Sequence, residues 1–209
     1  MTDRTVPLVD RLLELVAVVL LGITTVGTAW CGFQATRWNG ESSDLTRAAA
    51  TQRIEGSRLF GLATQRVTYD SAVVAKYAEA TLEGNAKLVQ FYRQSVVRPD
   101  FLPILDRWEA AAKAGKASVG VFEDKDYLAG QFADYNKTVV AAEQAARESQ
   151  EADDIAEAYV GTTILLAVAL FFAGVTSSFL SRFARILLLI AATGAVAVAA
   201  ARIATLPII

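Results

Sequence analysis

Histidine is absent from this sequence, and cysteine occurs once, at Cys31. Without imidazoles the chain lacks the commonest general base and the commonest metal ligand, and a single thiol excludes an intrachain disulfide and a CxxC motif. Glycine-rich phosphate-binding motifs and the GxSxG motif are also missing from the sequence. We therefore expect no enzyme activity, no bound cofactor and no metal site.

Proline is scarce as well. It occurs four times, and none of the four lies within residues 8–98 or 104–206. Long proline-free stretches rich in alanine, without an alternating run of β-branched residues, are typical of helices rather than strands. The sequence predicts an all-α protein that turns within "RPDFLPILDRW", at Pro99 and Pro103.

Apolar residues are concentrated in three blocks. Hydrophobic residues make up 54% of the chain and charged residues 20%, and the mean hydropathy is +0.35. The blocks are residues 12–33, 159–180 and 183–206. A helix needs about 20 apolar residues to cross the hydrocarbon core of a bilayer, and each block is long enough. The sequence predicts three transmembrane helices with these bounds and the lipid bilayer as a partner.

The first block has two interpretations. It follows a basic start and contains small residues at positions 27–29, as a cleaved signal peptide does. It is longer than a typical signal core, however, and it ends in the aromatic cluster of a membrane interface. We therefore expect an uncleaved anchor.

Arginines flank the predicted spans on one side of the membrane. Arg4 and Arg11 precede the first span, and Arg182 and Arg185 lie between the second and the third. Because such residues near span ends favour the cytoplasm, residues 1–11 are predicted to be cytoplasmic and residues 34–158 extracytoplasmic.

The segment 34–158 is predicted to be helical. Helices are expected over residues 41–97, 104–116 and 126–158, with a glycine-bearing loop, "AGKASVG", before the last. The ascending and returning pieces have similar lengths, which predicts an extramembrane helical hairpin or bundle on the first two spans. Asp70 interrupts an otherwise apolar helix face. The acids of "FEDKDY" are expected to cap the last helix rather than to bind a cation.

The stretch "TAWCGFQATRWNGESS" marks the end of the first span. Trp30 and Trp38 are expected at the membrane interface, where amphipathic aromatic rings are stable. Arg37 and Glu41 are four residues apart and share a helix face. Asp154 and Glu157 precede the second span at a similar depth. These residues are predicted to form an interface anchor with an ion pair from Arg37 to Asp154 or Glu157, and the alternative is a binding site at the same place.

Two charges fall inside the apolar blocks. Glu14 lies one turn into the first, and an unpaired carboxylate in lipid is costly, so we expect it to pair with Arg11, Arg182 or Arg185. Arg202 lies near the end of the third block and is expected to extend its guanidinium to the interface.

A resemblance to a known family accompanies these patterns. The stretch at residues 28–43 is similar to "AWSGYQATRWNGEQA", the signature of an uncharacterised bacterial family of small three-pass membrane proteins. "FYRQ" at 91–94, the "RPDFLPILDRW" turn, Tyr127 and "LFFAG" at 170–174 resemble further family segments. The resemblance implies a shared topology in a bacterial inner membrane and carries no activity with it.

Three classes of function remain. Small residues in the first span and at 191–201 in the third favour close helix packing, and thus a non-catalytic, self-associating protein that assembles or scaffolds a membrane complex. The alternatives are an accessory subunit of a channel or transporter, suggested by the intramembrane charge, and an extracytoplasmic sensor. The expected partners are copies of the chain or another membrane protein. Nucleic acid is not expected, because the isoelectric point is about 5.3.

Overall fold

A computed structural model describes residues 8–116, 123–179 and 181–209. Every regular element in those ranges is helical, and none of these residues lies in a strand. Three helical stretches are long and apolar enough to cross a membrane: Val9–Leu82, Ala133–Ser178 and Arg182–Ile203. The prediction of an all-α chain with three candidate membrane spans is confirmed.

The helices divide between two compact units. Unit 1 comprises Met1–Arg47 and Ala145–Ile209, and unit 2 comprises Ala48–Gln144. The elements in chain order are α1, Leu8–Leu82; α2, Ala86–Phe91; a π-helical turn, Tyr92–Val96; α3, Leu102–Lys113; α4, Lys125–Gln131; α5, Ala133–Val175; a 3₁₀ turn, Thr176–Ser178; and α6, Arg182–Ile203.

Unit 1 is a bundle of α1, α5 and α6. Buried residues recur on α1 and α5 at intervals of three and four. On α1 they include Leu20, Thr24, Cys31 and Ala35, and on α5 Ala152, Ala156, Tyr159, Thr162, Leu166, Ala169 and Ala173. This near-heptad spacing lets two helices keep one face together over many turns. Close approach needs small side chains: a Cβ added to Gly27 would lie 3.3 Å from Leu166 Cδ1.

Two apolar clusters join all three helices of unit 1. One contains Leu20, Ala173, Leu189 and Ala192. The other contains Cys31, Ala35, Tyr159, Leu166 and Ala199. Because each cluster takes residues from α1, α5 and α6, the bundle is held at two levels along its length.

Unit 2 is built around an apolar core that includes two buried tyrosines. The core residues are Val67, Val73, Tyr77, Val97, Phe101, Leu105 and Tyr127. The ring of Phe101 lies edge-on to Tyr127 and to Trp108, with centroids 5.3 Å and 5.9 Å apart. These contacts join the end of the proline-containing turn to α3 and α4, so that turn is part of the core of unit 2.

Helix boundaries differ from the sequence predictions at three places. The helix predicted to reach residue 97 ends at Leu82, where Gly84 adopts φ +70°, a left-handed conformation that favours glycine. The helix predicted from residue 104 begins at Leu102, and the helix predicted from residue 126 is interrupted at Phe132. The loop "AGKASVG" falls largely outside the described residues, which resume at residue 123.

Candidate functional site

At the end of unit 1 that carries Trp30 and Trp38, here the tryptophan end, residues 206–209 lie against α1 and α5. We call these residues the LPII segment. Gln34 Nε2 donates to Ile209 O and Ile209 N donates to Gln34 Oε1, both at 3.2 Å. Trp38 Nε1 and Tyr159 Oη each donate to Pro207 O at 3.1 Å. We call Gln34, Trp38 and Tyr159 the backbone groove, because all four hydrogen bonds reach main-chain atoms of the segment.

The backbone groove explains a polar residue in the packed surface of α1. Gln34 is 0% exposed, and a buried amide left without partners costs about 1–3 kcal/mol. Both atoms of its amide are satisfied by a single residue, Ile209. Gln34 and Trp38 are four residues apart, so one face of α1 presents both side chains to the segment. Leu206 adds apolar contact with the cluster that contains Tyr159.

The residues of the ion pair that the sequence predicted at the membrane interface lie at this end, but they are not joined to one another. Arg37, Glu41, Asp154 and Glu157 are exposed, and no ion pair connects any of them within the described residues. Arg37 is exposed, whereas Gln34 and Trp38, on either side of it in sequence, donate hydrogen bonds to the LPII segment.

Hydroxyl groups join α1 to α5 more than one helical turn beyond the residues of the expected ion pair. Ser149 Oγ lies 3.2 Å from Ser42 Oγ and 2.8 Å from Thr46 Oγ1, and it donates to Ser42 O at 3.0 Å. Ser149 is 8% exposed, so these bonds satisfy a hydroxyl that is largely withdrawn from water. Neutral hydrogen bonds thus connect the two helices here.

Trp30 and Arg202 occupy exposed positions on unit 1. The Trp30 side chain is 42% exposed, and its ring centroid lies 6.1 Å from that of Phe33. Arg202 makes no ion pair with another described residue, and a Cβ added to Gly161 would lie 3.9 Å from its Nη1. Both side chains have the exposure that interfacial anchoring requires.

At the opposite end of the bundle, here the arginine end, two arginines meet two carboxylates. Arg185 Nη2 lies 3.3 Å from Glu14 Oε1, and Arg185 Nη1 lies 3.7 Å from Asp10 Oδ1. Arg182 Nη2 lies 3.0 Å from Asp10 Oδ2. Glu14 therefore has a basic partner of the kind that the sequence led us to expect. Asp10 is a further member that sequence reasoning missed.

Unit 2 contains a buried carboxylate with a bidentate partner. Asp70 is 1% exposed, and Arg98 Nε and Nη2 donate to its two oxygens at 3.0 Å and 2.7 Å. Tyr127 Oη donates to Asp70 Oδ2 at 2.5 Å. Arg98 Nη1 also donates to Asp100 at 2.9 Å. The cluster joins α1, the proline-containing turn and α4 through charge-assisted hydrogen bonds, which are stronger than neutral ones.

The environment of Tyr127 holds its phenol in the protonated form. Burial and the hydrogen bond to Asp70 raise the pKa of Tyr127 above its ordinary value near 10. A phenol that keeps its proton remains a donor to the carboxylate throughout the neutral range. The Asp70 cluster is therefore arranged as a structural ion pair, with the carboxylate oxygens already engaged by two other side chains.

A second polar network lies beside it in unit 2. Arg93 Nη1 donates to Glu109 Oε1 at 3.0 Å, and Arg93 also pairs with Asp106. Tyr77 Oη donates to the same Glu109 oxygen. Burial is the main cause that raises the pKa of Tyr77, and this hydrogen bond is the second. "FYRQ", "RPDFLPILDRW" and Tyr127, which the sequence analysis singled out separately, thus meet in one unit.

The acids of "FEDKDY" have structural contacts. Asp124 Oδ1 accepts from Tyr127 N at 2.9 Å, which caps α4 as predicted. Asp124 Oδ2 also lies 3.3 Å from Arg107 Nη2. Among the described residues, no group of three or more potential ligands is placed to hold a metal ion.

Sequence reasoning assigned no partner to two buried polar residues, Gln34 and Asp70. Each interrupts an apolar helix face, and that interruption is the available signal, because a buried polar side chain requires a partner. For Asp70 the partner, Arg98, lies 28 positions away in the proline-containing turn. For Gln34 the partner is main chain, which no side-chain pattern can indicate.

An open cavity of about 390 Å³ adjoins the Asp70 cluster, lined by Leu62, Gln65, Arg66, Tyr69 and Arg98. Arg66 is exposed and makes no ion pair with another described residue. Arg98 and Arg66 therefore line the same cavity, and of the two only Arg98 is engaged with a carboxylate of the described residues.

Comparison with protein-family models, with curated proteins and with solved structures finds no match to this chain.

Proposed function

We propose that the chain is a non-catalytic membrane protein that crosses the bilayer three times and assembles or scaffolds a membrane complex by self-association. The observation that carries this proposal is the small share of residues in each candidate span that is buried by the rest of the chain. Within the most apolar window of each span, only 17%, 28% and 17% of the residues are buried in α1, α5 and α6 respectively. The rest of each span is available to lipid or to another helix.

The outward surface of α6 is suited to a neighbouring helix. Ala191, Gly194, Ala197 and Ala201 are exposed at intervals of three and four residues. A Cβ added to Gly194 or to Gly22 of α1 would meet nothing within 4 Å. Small residues let helix backbones approach in lipid, where packing and polar contacts rather than hydrophobicity drive association.

The polar clusters support a structural role. Asp70, the most buried carboxylate described, is held by Arg98 and Tyr127, and Gln34 is held by main chain. A general base or nucleophile has to face its substrate with a free lone pair or an exchangeable proton. These groups instead form their hydrogen bonds with other residues of the fold.

The membrane is proposed to be a bacterial inner membrane, with the amino terminus cytoplasmic and unit 2 extracytoplasmic. Arg182 and Arg185 lie at the same end of unit 1 as the beginning of α1. Arginines near short connections between spans are retained on the cytoplasmic side.

Native mass spectrometry of the purified protein from lipid nanodiscs tests the proposal. We expect a homo-oligomer, or a complex with another membrane protein at fixed stoichiometry. A particle with a continuous polar axis would favour the channel alternative. A strict monomer without a partner at membrane-like protein densities would contradict a scaffold.

A further inference from the structure

The backbone groove recognises main chain rather than side chains. Gln34 supplies one donor and one acceptor to Ile209, and Trp38 and Tyr159 both donate to Pro207 O. Pairing an amide with both polar atoms of one residue reproduces the hydrogen bonding of a neighbouring β-strand. Proline suits the other position, because it offers a carbonyl and has no N–H to leave unsatisfied.

The groove residues project from packed helices, whereas residues 207–209 of the segment are exposed. Gln34, Trp38 and Tyr159 project from long helices whose packing includes residues far from the segment. Within the segment, the side chains of Ile208 and Ile209 remain 64% and 39% exposed. Residues 207–209 therefore return little apolar area to solvent or lipid when they leave the groove, whereas Leu206 gives up its contact with the Tyr159 cluster and Gln34 loses both of its partners.

We propose that the backbone groove also binds the LPII segment of a second copy, so that neighbouring copies in the membrane exchange segments. This inference rests on the proposed self-association and gives it a contact. A second copy carries the same main-chain donors and acceptors, so exchange preserves all four hydrogen bonds and leaves Gln34 satisfied. Exchange of identical elements is a low-cost route to an oligomer for the same reason.

The position of the segment suits lateral exchange. In one chain the end of α6 and the groove lie at the same end of the bundle, so in two copies with the same orientation they lie at the same membrane depth. Three residues lie between Ile203, the last residue of α6, and Pro207, so four Cα-to-Cα steps join the two. Extending these four steps opens the turn bonds from Thr205 N to Arg202 O and from Leu206 N to Ile203 O, and gives a reach of up to about 13 Å. That reach exceeds the roughly 8–10 Å between the axes of packed helices, so it suffices where α6 of one copy packs against α1 or α5 of the other.

Two complementary variants of the full chain test the exchange. One has a defective groove, Gln34→Ala with Trp38→Phe, and keeps its segment; the other lacks residues 207–209 and keeps its groove. Each variant alone lacks one half of the contact, while a mixed pair can form it once. Both variants keep the α6 surface, so like pairs can form through it, and segment exchange adds a contact in mixed pairs alone. We expect differently tagged variants, co-reconstituted in vesicles of phosphatidylethanolamine and phosphatidylglycerol, to form mixed pairs about tenfold more often than like pairs, and equal frequencies would overturn the exchange. A chain with both defects is the matched control and should pair with the segment-deleted chain only as often as like pairs form.

A second measurement uses a chain without either defect, so that misfolding of a variant cannot decide the result. A photoreactive benzoylphenylalanine replaces exposed Ile208, and copies labelled with ¹⁴N and ¹⁵N are mixed in the same vesicles before irradiation. We expect adducts between residue 208 of one isotope and α1 peptides containing Gln34 of the other. Adducts of a single isotope only, or adducts to a different protein, would overturn the exchange.

The two proposals fail in different ways. A stable oligomer that yields only single-isotope adducts contradicts segment exchange and leaves the scaffold proposal standing. A monomer without mixed-isotope adducts contradicts both.

Discussion

Replacing Arg98 with alanine perturbs the buried ion pair of unit 2 most directly. The substitution removes both hydrogen bonds from the guanidinium to Asp70, at 3.0 Å and 2.7 Å. It leaves a carboxylate that is 1% exposed with Tyr127 as its remaining donor among the described residues. We expect a large loss of stability, because the charge stays buried after its partner has gone.

The magnitude follows from the burial of the two partners. Breaking a buried ion pair by removing one partner costs about 3–5 kcal/mol. The Arg98 side chain retains 22% exposure, so water can reach part of the vacated space and the lower end applies. We predict that the free energy of unfolding of unit 2 falls by about 3 kcal/mol. This change raises the unfolded population of unit 2 roughly 100-fold. Arg98→Lys keeps the charge without the bidentate fork, and its loss should be intermediate.

Hydrogen exchange followed by mass spectrometry measures this effect within unit 2. Amides of the α1 region around Asp70 should exchange roughly 100-fold faster in Arg98→Ala than in the parent protein. Arg66→Ala is the matched control, because Arg66 lines the same cavity without an ion pair to a described residue, and its effect should stay within about 0.5 kcal/mol. Equal exchange in the two variants would refute the reasoning.

A double-mutant cycle gives an independent check. Asp70→Asn removes the charge that Arg98 neutralises, so the double variant Asp70→Asn with Arg98→Ala should lose less stability than the sum of the single variants. Additive losses would show that the two residues stabilise unit 2 independently.

Three further predictions follow from the other clusters. The neutral phenol of Tyr127 stabilises the fold below about pH 10, its ordinary pKa. Because the pKa of Tyr127 is raised in the folded protein, this contribution is lost as the pH rises towards the folded-state pKa. In a pH series of thermal unfolding, Tyr127→Phe should therefore lose less stability at alkaline pH than the parent protein does. Arg185→Ala should lower the melting temperature in detergent more than Arg182→Ala, because their side chains are 13% and 57% exposed and Arg185 bridges two carboxylates; equal shifts would contradict this. Gln34→Ala should cost about 1–2 kcal/mol in denaturant unfolding and Arg37→Ala less than about 0.5; the reverse order would place the main contact at Arg37.

The secondary structure and the membrane spans could be predicted from the sequence because they depend on local chemistry. Proline-free alanine-rich stretches specify helices, and long apolar blocks specify candidate spans. The breaks at Gly84 and Phe132 were missed because a single turn of irregular backbone leaves the surrounding periodicity almost unchanged.

The polar contacts were predicted less well, for a different physical reason. The pair between Glu14 and Arg185 was accessible, since a carboxylate in an apolar block requires a cation nearby. The contacts of Gln34 with Ile209 depend on a segment 175 positions away in sequence and on main-chain atoms that every residue possesses. An ion pair was predicted for Arg37 because of its charge, but an exposed charge is solvated by water and needs no protein partner. A buried amide such as that of Gln34 does need one.

The central claim is a chain that crosses the membrane three times, and cysteine accessibility tests it most directly. Cys31 is the single native cysteine and is buried, so a Cys31→Ala background can carry one new cysteine at Lys116, Ser181 or Thr205, which are all exposed. Three crossings place positions 116 and 205 on one side and position 181 on the other. In intact cells we expect a membrane-impermeant maleimide to label positions 116 and 205 from outside, and position 181 only after the membrane is permeabilised. Labelling of positions 116 and 181 from the same side would contradict the three-span architecture.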